Sequence, residues 1–311
     1  MQKIVTLTLN PAIDKSTTVN TIVPDRKLRC SNPVFEPGGG GVNVSRAIKK
    51  LGGESTAIYI SGGYSGKHLE DLLRLEGIES SVVAFDGQTR ENLIVVDESS
   101  NSQYRFGMPG PALNKFEWRK CLEILQHSSG AEYIVASGSL PEGVPEDFFG
   151  QLACVAKKVN AKLIVDTSGE PLRYAMSEGV FMIKPNLGEL SNLHGVEELI
   201  EKDVISAARS VIDKGGTEVI VISMGASGAM LITKDQVIES PSPTVKKRST
   251  VGAGDSMVAG MVLALTKGLT WLEVLQYGIA AGTATTMNPG TELCKKEDVE
   301  KLYECLKAKK V

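Results

Sequence analysis

The 311-residue sequence contains no uninterrupted apolar run of about 18 residues, the length that a membrane-spanning helix needs. It also lacks a leader made of a charged segment followed by an apolar one, because a strand-like pattern begins at once in MQKIVTLTLNPAID. The sequence therefore predicts a soluble protein without a membrane partner, and we expect it in the cytoplasm.

An excess of positive charge is missing as well. The 34 Lys and Arg residues against 37 Asp and Glu residues give a net charge of −3, which argues against nucleic acid as the main partner. Only three histidines are present, and the five cysteines show no CxxC spacing. We therefore expect reduced thiols rather than a disulfide framework or a zinc site. The cysteines are Cys30, Cys121, Cys154, Cys294 and Cys305.

The pattern that is present is an alternation of short β-branched runs with longer helical segments. The first such run is Ile4–Thr8 and the last is Ala229–Thr233. Several are apolar throughout, which suits parallel strands that are buried on both faces. The sequence therefore predicts one α/β domain over residues 1–311, with a doubly wound, mainly parallel sheet flanked by helices. Its ligand crevice should lie at the carboxyl ends of the strands.

Residues 13–36 and 91–106 break this alternation, because their extended segments follow one another without an intervening helix. We interpret them as a small antiparallel β-sheet that two separate stretches of chain contribute to the domain. A lid over the crevice would exclude water from a group-transfer reaction. The alternative is a peripheral sheet that has no role in the reaction.

The most informative segment is STVGAGDS at residues 249–256, just before a helical pattern. Gly252 and Gly254 would let the backbone approach a phosphate, and the free N–H groups of a helix start favour an anion. Asp255 could accept a proton there from an attacking hydroxyl, although an ordinary helix cap would explain the same acid. Neither a dinucleotide fingerprint nor a P-loop fits, since the glycine spacing of residues 62–68 is wrong for the latter.

Three further segments carry candidate chemistry. Four consecutive glycines at residues 38–41, close to Asn43, favour contact with a polyhydroxylated ligand over a flexible loop. Asn186 and Glu189 follow a buried strand and could share a hydrated magnesium ion, although helix capping would explain them equally well. The turn at residues 223–228 follows another strand and is a weak candidate for contact with a phosphate.

Together these segments resemble the PfkB/ribokinase family of carbohydrate kinases, over about residues 4–308. Both family signatures are present, at residues 37–47 and 249–256, the second with GAGD intact. The resemblance implies a ribokinase-like α/β fold and an ATP-dependent kinase that uses Mg²⁺. Within the family, the sequence resembles the phosphosugar branch more closely. The motifs that carry this resemblance are TLNPAID at 8–14, GQTREN at 87–92 and SGSLPEGV at 137–144.

The resemblance also implies a role for individual residues. Asp255 would deprotonate the sugar hydroxyl, while the amides of Gly252, Ala253 and Gly254 would stabilise the transferring phosphoryl group. The residues implied to hold the sugar hydroxyls are Asp14, Gly39 and Asn43, and those implied to hold its phosphate are Lys27, Arg90, Arg105 and Ser139. The nucleotide would contact Lys184, Asn186, Ser223, Gly225, Gly228 and Thr283. Magnesium would be held through water by Asn186 and Glu189, and a monovalent cation such as K⁺ by Ser249, Val251, Asn288 and Gly290.

The substrate implied first is fructose 6-phosphate, phosphorylated to fructose 1,6-bisphosphate. Gly40 supports it, because that position is usually Lys in 1-phosphofructokinases and tagatose-6-phosphate kinases, which are the alternatives. A regulator that binds a sugar phosphate without catalysis is a less favoured alternative, since such a protein would not need the base Asp255. Glu292 departs from the pattern of the family's 6-phosphofructokinases, which have Arg there. The resemblance further implies a homodimer formed through the lid.

Overall fold

The computed structural model describes residues 3–128 and 130–308. The strands are, in chain order, β1 (Ile4–Thr8), β2 (Ala12–Val19), β3 (Val34–Gly38), β4 (Thr56–Ser61), β5 (Glu79–Ala84), β6 (Arg90–Asp97), β7 (Ser102–Phe106), β8 (Tyr133–Ser137), β9 (Lys162–Asp166), β10 (Val180–Ile183), β11 (Thr217–Ser223), β12 (Ala229–Ile232) and β13 (Val237–Ser240). The helices are α1 (Gly40–Lys50), α2 (Gly63–Leu75), α3 (Lys115–Gln126), α4 (Phe148–Lys158), α5 (Gly169–Glu178), α6 (Leu187–Leu193), α7 (Glu201–Asp213), α8 (Ala253–Thr266), α9 (Trp271–Thr286) and α10 (Lys296–Ala308).

The main sheet has nine strands in the order β13-β12-β11-β10-β9-β8-β1-β4-β5. Seven neighbouring strands, from β11 to β5, are parallel, and β12 and β13 add an antiparallel edge. Helices cover both faces, so successive residues of β1 belong to opposite cores: Ile4 packs into one hydrophobic cluster and Val5 into the other. The predicted doubly wound sheet is confirmed.

The strands that the sequence failed to predict lie at the two edges of this sheet. β5 and β13 are partly exposed and carry polar residues, so they lack the continuous apolar run by which the central strands are recognised. In contrast, β1 was predicted with the bounds that the structure has. The short helix α6 and the helices α5 and α10 were not predicted.

Both segments expected to form a small sheet do so, with the strand order β3-β2-β6-β7, and this sheet is called the lid below. Its outer pairs are antiparallel, whereas the central pair β2–β6 is parallel. These two strands come from separate segments, so no hairpin dictates their relative direction. The expectation of extended strands throughout residues 13–36 is wrong in part, because residues 20–33 form an exposed loop. Pro24 and Pro33 cannot donate to a strand ladder, which favours a loop in this segment.

Helices α8 and α9 pack closely against each other, with glycine at their contact. A Cβ added to Gly260 of α8 would lie 2.9 Å from the carbonyl oxygen of Tyr277 and 3.0 Å from Cβ of Ala281. Glycine therefore lets the two helix backbones approach. In the part of the chain that the structure describes, no helix combines the length and the apolar character that crossing a bilayer requires.

Candidate active site

Asp255 lies in the first turn of α8, with its carboxylate directed at two other elements. Oδ2 accepts a hydrogen bond from Nδ2 of Asn43 at 3.0 Å, and Oδ1 accepts one from Oγ of Ser137 at 3.4 Å. The N-cap of the helix is Gly252, which adopts a left-handed φ of 72°. Asp255 is therefore not the capping residue, and the capping explanation of this acid is wrong.

The surroundings of Asp255 suit a base that works near neutral pH. Burial, and after it the negative charge of Asp166, raise the pKa of Asp255 to about 6. The hydrogen bonds from Asn43 and Ser137 and the charge of Lys184 oppose this rise. Lys184 forms an ion pair with Asp166, with 3.2 Å between Nζ and Oδ1.

This arrangement predicts opposite pH shifts for two substitutions. Asp166→Asn removes a charge that raises the pKa of Asp255, so the acid limb of the kcat/KM profile should move to lower pH. Lys184→Met removes a charge that lowers the same pKa, so the limb should move to higher pH. The measurement is kcat/KM against pH for both variants and the parent. Shifts in the same direction would contradict this electrostatic account.

The glycine run is a packed helix start rather than a flexible loop. Gly39 is the N-cap of α1 and has a φ of 108°. A Cβ on Gly40 would lie 2.2 Å from Oγ of Ser137, and one on Gly41 would lie 2.4 Å from the carbonyl oxygen of Leu7. The first turn of α1 is therefore pressed against the carboxyl ends of β1 and β8, next to Asp255.

A cleft of about 670 Å³ opens beside these groups. Its walls include Gly40, Ser137, Ser139, Asp166, Glu189 and Asp255. A larger groove of about 1120 Å³ lies at the opposite edge of the sheet, where Tyr133, Lys162, Val180 and Thr217 begin four neighbouring strands. None of the predicted site residues lines that groove, so the smaller cleft is the candidate active site.

The lid presents its candidate sugar ligands on one face. In the strand register, Asp14 pairs with Asn92 and Ile94 pairs with Arg105, which places Asp14, Arg90, Asn92 and Arg105 on the same side. Asp14 is buried and accepts a hydrogen bond from Nδ2 of Asn92 at 2.8 Å. Burial raises its pKa above the usual value, against the opposing effects of Asn92 and Arg90.

The two candidate phosphate-binding arginines differ in how much of each guanidinium is engaged. Arg90 donates to the backbone carbonyls of Asn10 at 2.9 Å, Met108 at 3.2 Å and Pro11 at 3.4 Å. Arg105 is exposed and donates to Oγ1 of Thr250 at 3.2 Å, so it reaches the loop before α8.

The remaining two candidate phosphate ligands differ in position. Oγ of Ser139 accepts a hydrogen bond from Nδ2 of Asn10 at 3.0 Å and lines the cleft. Lys27 lies in the exposed loop 20–33 and is not among the residues that line the cleft. The structure thus brings Ser139 to the cleft but not Lys27, whose role stays a prediction.

On the nucleotide side, Asn186 and Glu189 form a capping box at the start of α6. Oδ1 of Asn186 accepts from the backbone N–H of Glu189 at 2.9 Å, and Oε2 of Glu189 accepts from that of Asn186 at 2.8 Å. The capping alternative is therefore realised, and each oxygen keeps a free lone pair. Among residues 3–128 and 130–308, no group of three or more His, Cys, Asp or Glu side chains forms a metal site.

The other predicted nucleotide residues lie on adjoining segments. An isolated β-bridge joins Ser223 to Asn186. Gly225 and Gly228 have φ values of 58° and 108° around a short 3₁₀ turn. Thr283 of α9 shares a hydrogen bond of 2.9 Å with the hydroxyl of Ser242.

The comparisons with known proteins agree with this geometry. A model of the family described as pfkB family carbohydrate kinase matches residues 5–298. The chain is 46% identical over 308 residues to the ATP-dependent 6-phosphofructokinase isozyme 2 of Escherichia coli (strain K12), and this match covers 98% of the chain and 99% of that protein. The chain belongs to the pfkB family of carbohydrate kinases. It is also 34% identical to a 1-phosphofructokinase of Borreliella burgdorferi, with 96% of each chain covered.

Solved structures support the same placement in the pfkB family. Phosphofructokinase-2 from Escherichia coli in complex with potassium superposes with a TM-score of 0.94 at 45% identity, covering 99% of this chain and 100% of that one. The same enzyme is known in complex with fructose-6-phosphate (TM-score 0.93, 43% identity, 99% and 100% covered) and as a tetrameric inhibited form (0.93, 44%, 99% and 100%). Arabidopsis thaliana ribokinase, at 19% identity and a TM-score of 0.78 over 98% and 99% of the two chains, shares the fold, which confirms the ribokinase-like architecture.

In this pfkB-family chain, the predicted cation residues lie on two loops that contact each other. Oγ of Ser249 donates to the carbonyl oxygen of Gly290 at 2.7 Å and accepts from the N–H of Val251 at 3.2 Å. Asn288 donates within its own loop, to the carbonyl oxygen of Leu293 at 2.9 Å. Glu292 forms an ion pair of 3.1 Å with Lys295, so the departure from the family pattern has a local positive partner.

Four side chains at the site were missed from sequence: Asn10, Asn92, Ser137 and Asp166. Ser137 and Asp166 are the last residues of β8 and β9, so the rule that ligands bind at carboxyl ends of parallel strands could have found them. Asn10 and Asn92 lie in the motifs TLNPAID and GQTREN, which the resemblance singles out, but their partners Ser139 and Asp14 are distant in sequence.

Proposed function

We propose that this pfkB-family kinase transfers the γ-phosphoryl group of ATP to the O1 hydroxyl of fructose 6-phosphate, giving fructose 1,6-bisphosphate. The observation that carries the proposal is the carboxylate of Asp255, which lies at the start of α8 beside a cleft at the carboxyl ends of β8 and β9. Its pKa of about 6 makes it an effective proton acceptor near neutral pH. The similarity to the Escherichia coli enzyme supports the choice of donor and acceptor.

In the proposed reaction, Asp255 accepts the proton of the sugar hydroxyl as its oxygen attacks phosphorus in line with the leaving ADP. The first amides of α8, at Gly252, Ala253 and Gly254, stabilise the charge on the transferring group. Each preorganised donor of this kind is worth about 10²–10³ in rate. Asp14, Gly39 and Asn43 orient the sugar hydroxyls on the other side of the cleft.

The phosphate of the substrate is proposed to lie between the lid and the β8–α4 loop, on Arg90, Arg105 and Ser139. A guanidinium pairs with phosphate through two parallel hydrogen bonds, and two such groups suit a dianion. Arg105 keeps most of its donors for a ligand, since its contacts in the structure are with Gln103 and Thr250. Lys27 lies in the exposed loop 20–33, so we expect it to contribute to phosphate binding only when that loop approaches the active-site cleft.

Two ions complete the proposal. Asn186 and Glu189 supply the hard oxygen atoms that Mg²⁺ prefers, with room for bound water since each keeps a lone pair. Magnesium neutralises charge on the ATP phosphates. The carbonyl and hydroxyl oxygens of the loops at 249–251 and 288–290 suit K⁺, in agreement with the potassium complex of the Escherichia coli enzyme.

We further propose a homodimer that pairs through the outer face of the lid. On that face Tyr104 and Phe106 are exposed, and they pair with the half-buried Val95 and Leu93. An apolar patch of this kind is typical of a protein interface. The tetrameric form of the Escherichia coli enzyme makes a larger assembly the alternative. The five free thiols are compatible with a reducing compartment, so we propose the cytoplasm as the location.

The alternative substrates are tagatose 6-phosphate and fructose 1-phosphate. Position 40 favours fructose 6-phosphate, because a side chain there would force Ser137 and Gly138 to move: a Cβ would lie 2.2 Å from Oγ of the former and 2.9 Å from N of the latter. The cleft is thus built around glycine rather than around the lysine of the related kinases.

The test is kcat/KM, measured by ADP release with Mg-ATP, for fructose 6-phosphate, tagatose 6-phosphate, fructose 1-phosphate and fructose. We expect fructose 6-phosphate to be preferred by about tenfold or more, because the net contribution of one hydrogen bond, about 1 kcal/mol, corresponds to nearly that factor. Arg105→Ala should weaken the preference for fructose 6-phosphate over fructose, whereas Arg119→Ala, on the exposed side of α3, should not. A preference for tagatose 6-phosphate or fructose 1-phosphate would change the proposed substrate. If none of the four sugars were phosphorylated, the proposed function would be overturned.

A further inference from the structure

Arg46, on α1, is 2% exposed and is the largest fully buried side chain in the described chain. A buried guanidinium is costly unless its donors are satisfied. It donates to both carboxylate oxygens of Glu76 at 2.7–3.0 Å and to the carbonyl oxygen of Pro37 at 2.7 Å. Two longer contacts complete the set, to Oε1 of Glu36 at 3.3 Å and to Oδ1 of Asn43 at 3.4 Å. No proposed step in the reaction uses Arg46 itself.

The contact with Asn43 fixes which way its amide faces. Oδ1 of Asn43 accepts from Nη1 of Arg46, and Nδ2 of the same amide donates to Oδ2 of Asp255 at 3.0 Å. An inverted amide would direct its NH₂ group at the guanidinium, and its oxygen at the carboxylate. Both contacts would then be repulsive, so Arg46 reinforces the orientation in which the amide donates to Asp255.

The other contacts of Arg46 tie this amide to the lid. Glu36 lies on β3, directly opposite Asp14 of β2, and also accepts a hydrogen bond from Thr291 in the loop that contains the candidate cation residues. Pro37 immediately precedes the glycine run. One buried side chain therefore joins α1, the end of α2 and the lid strand behind the glycine run.

We infer that Arg46 is a positioning residue: it orients the Asn43 amide so that the carboxylate of Asp255 is held as an acceptor, ready to take the proton of the sugar hydroxyl. The inference rests on the proposed function in that Asp255 is the base. It assigns to Arg46 a role in the reaction that burial and stability alone do not require.

The inference has a consequence for pH dependence. Asp255 is faced by Asp166 of β9, Lys184 after β10, Ser137 of β8 and Asn43 of α1. Of these four groups, only the Asn43 amide contacts Arg46, so replacing Arg46 leaves the other three in place. The charged carboxylate then loses an oriented donor, so the pKa of Asp255 rises and the acid limb of kcat/KM moves to higher pH.

The experiment compares Arg46→Met and Arg46→Lys with Glu76→Gln, through kcat, the pH profile of kcat/KM and Tm. Lysine keeps the charge but lacks the fork of donors that reaches Glu76, Pro37 and Asn43 together. We expect both Arg46 variants to lose about 10- to 100-fold in kcat, the effect of a misplaced catalytic group, with the acid limb shifted upward. Glu76→Gln breaks the ion pair of Arg46 without touching the Asn43 contact. It should lower Tm while leaving the acid limb in place and kcat within about threefold.

The outcomes separate the inference from its alternatives. Folded Arg46 variants with the parental kcat and acid limb would overturn it, as would a Glu76→Gln variant with the same upward shift, which would mean a general loss of packing. If Arg46→Met does not fold, Arg46→Lys decides alone. Should the parent phosphorylate a sugar other than fructose 6-phosphate, the same comparison is made on that sugar. A failure of the proposed substrate is thus distinct from a failure of this inference.

Discussion

Asp255→Asn is expected to lower kcat by about 10²–10⁴-fold, which is the contribution of a positioned general base. Asparagine keeps the size of the side chain and can still contact Asn43 and Ser137, so the fold of the site should persist. What the variant loses is the ability to accept the proton of the attacking hydroxyl. The measurement is single-turnover and steady-state phosphorylation of fructose 6-phosphate with Mg-ATP.

The pH profile strengthens this test. Because the pKa of Asp255 is raised to about 6, kcat/KM of the parent should increase as the pH rises through that value, where the carboxylate becomes charged. The residual activity of Asp255→Asn should lack this limb. Asp235→Asn, an exposed acid between β12 and β13, is the matched control and should behave like the parent. If Asp255→Asn stayed within a few-fold of the parent, another group would be the base.

The central part of the fold could be predicted because its signal is local. Strands such as β1 and β8 are continuous apolar runs, since helices bury both of their faces, and a short sequence window suffices to recognise them. The edge strands β5 and β13 have no such run, because their stability depends on the neighbouring strand. The parallel pairing of β2 with β6 also depends on two segments that are distant in sequence, so a short sequence window does not reveal it.

The candidate site divides in the same way. Gly252 and Asp255 could be predicted because a helix start with glycines and an acid is visible in eight consecutive residues. The donor to that acid, Asn43, is 212 positions away, so its contact with Asp255 could not be read from spacing. Arg46 was not predicted at all, since an arginine on a helix is most often exposed and only the tertiary structure shows it buried.

The start of α8 should be far more sensitive to a side chain than its end, although both ends carry a glycine in the left-handed region. Gly252 has a φ of 72° and Gly268 a φ of 67°. A Cβ on Gly252 would lie 2.5 Å from Cδ2 of Leu293, whereas nothing lies within 4 Å of one on Gly268. Alanine at either position carries a backbone strain of about 1–3 kcal/mol, but only at Gly252 must a buried side chain, that of Leu293, also give way.

We therefore expect Gly252→Ala to lower kcat by about 10²-fold or more, because the strained and crowded helix start misdirects the amides that stabilise the transferring phosphoryl group. KM for the sugar phosphate should change much less, since the lid and α1 are untouched. Gly268→Ala should reduce Tm through the same backbone strain and keep the parental kcat. The comparison holds the helix, the substitution and the left-handed φ constant, so a difference in kcat reports the position of the amides rather than stability. Equal kcat values in the two variants would remove the amides of α8 from the mechanism and leave proton transfer to Asp255 as its supported part.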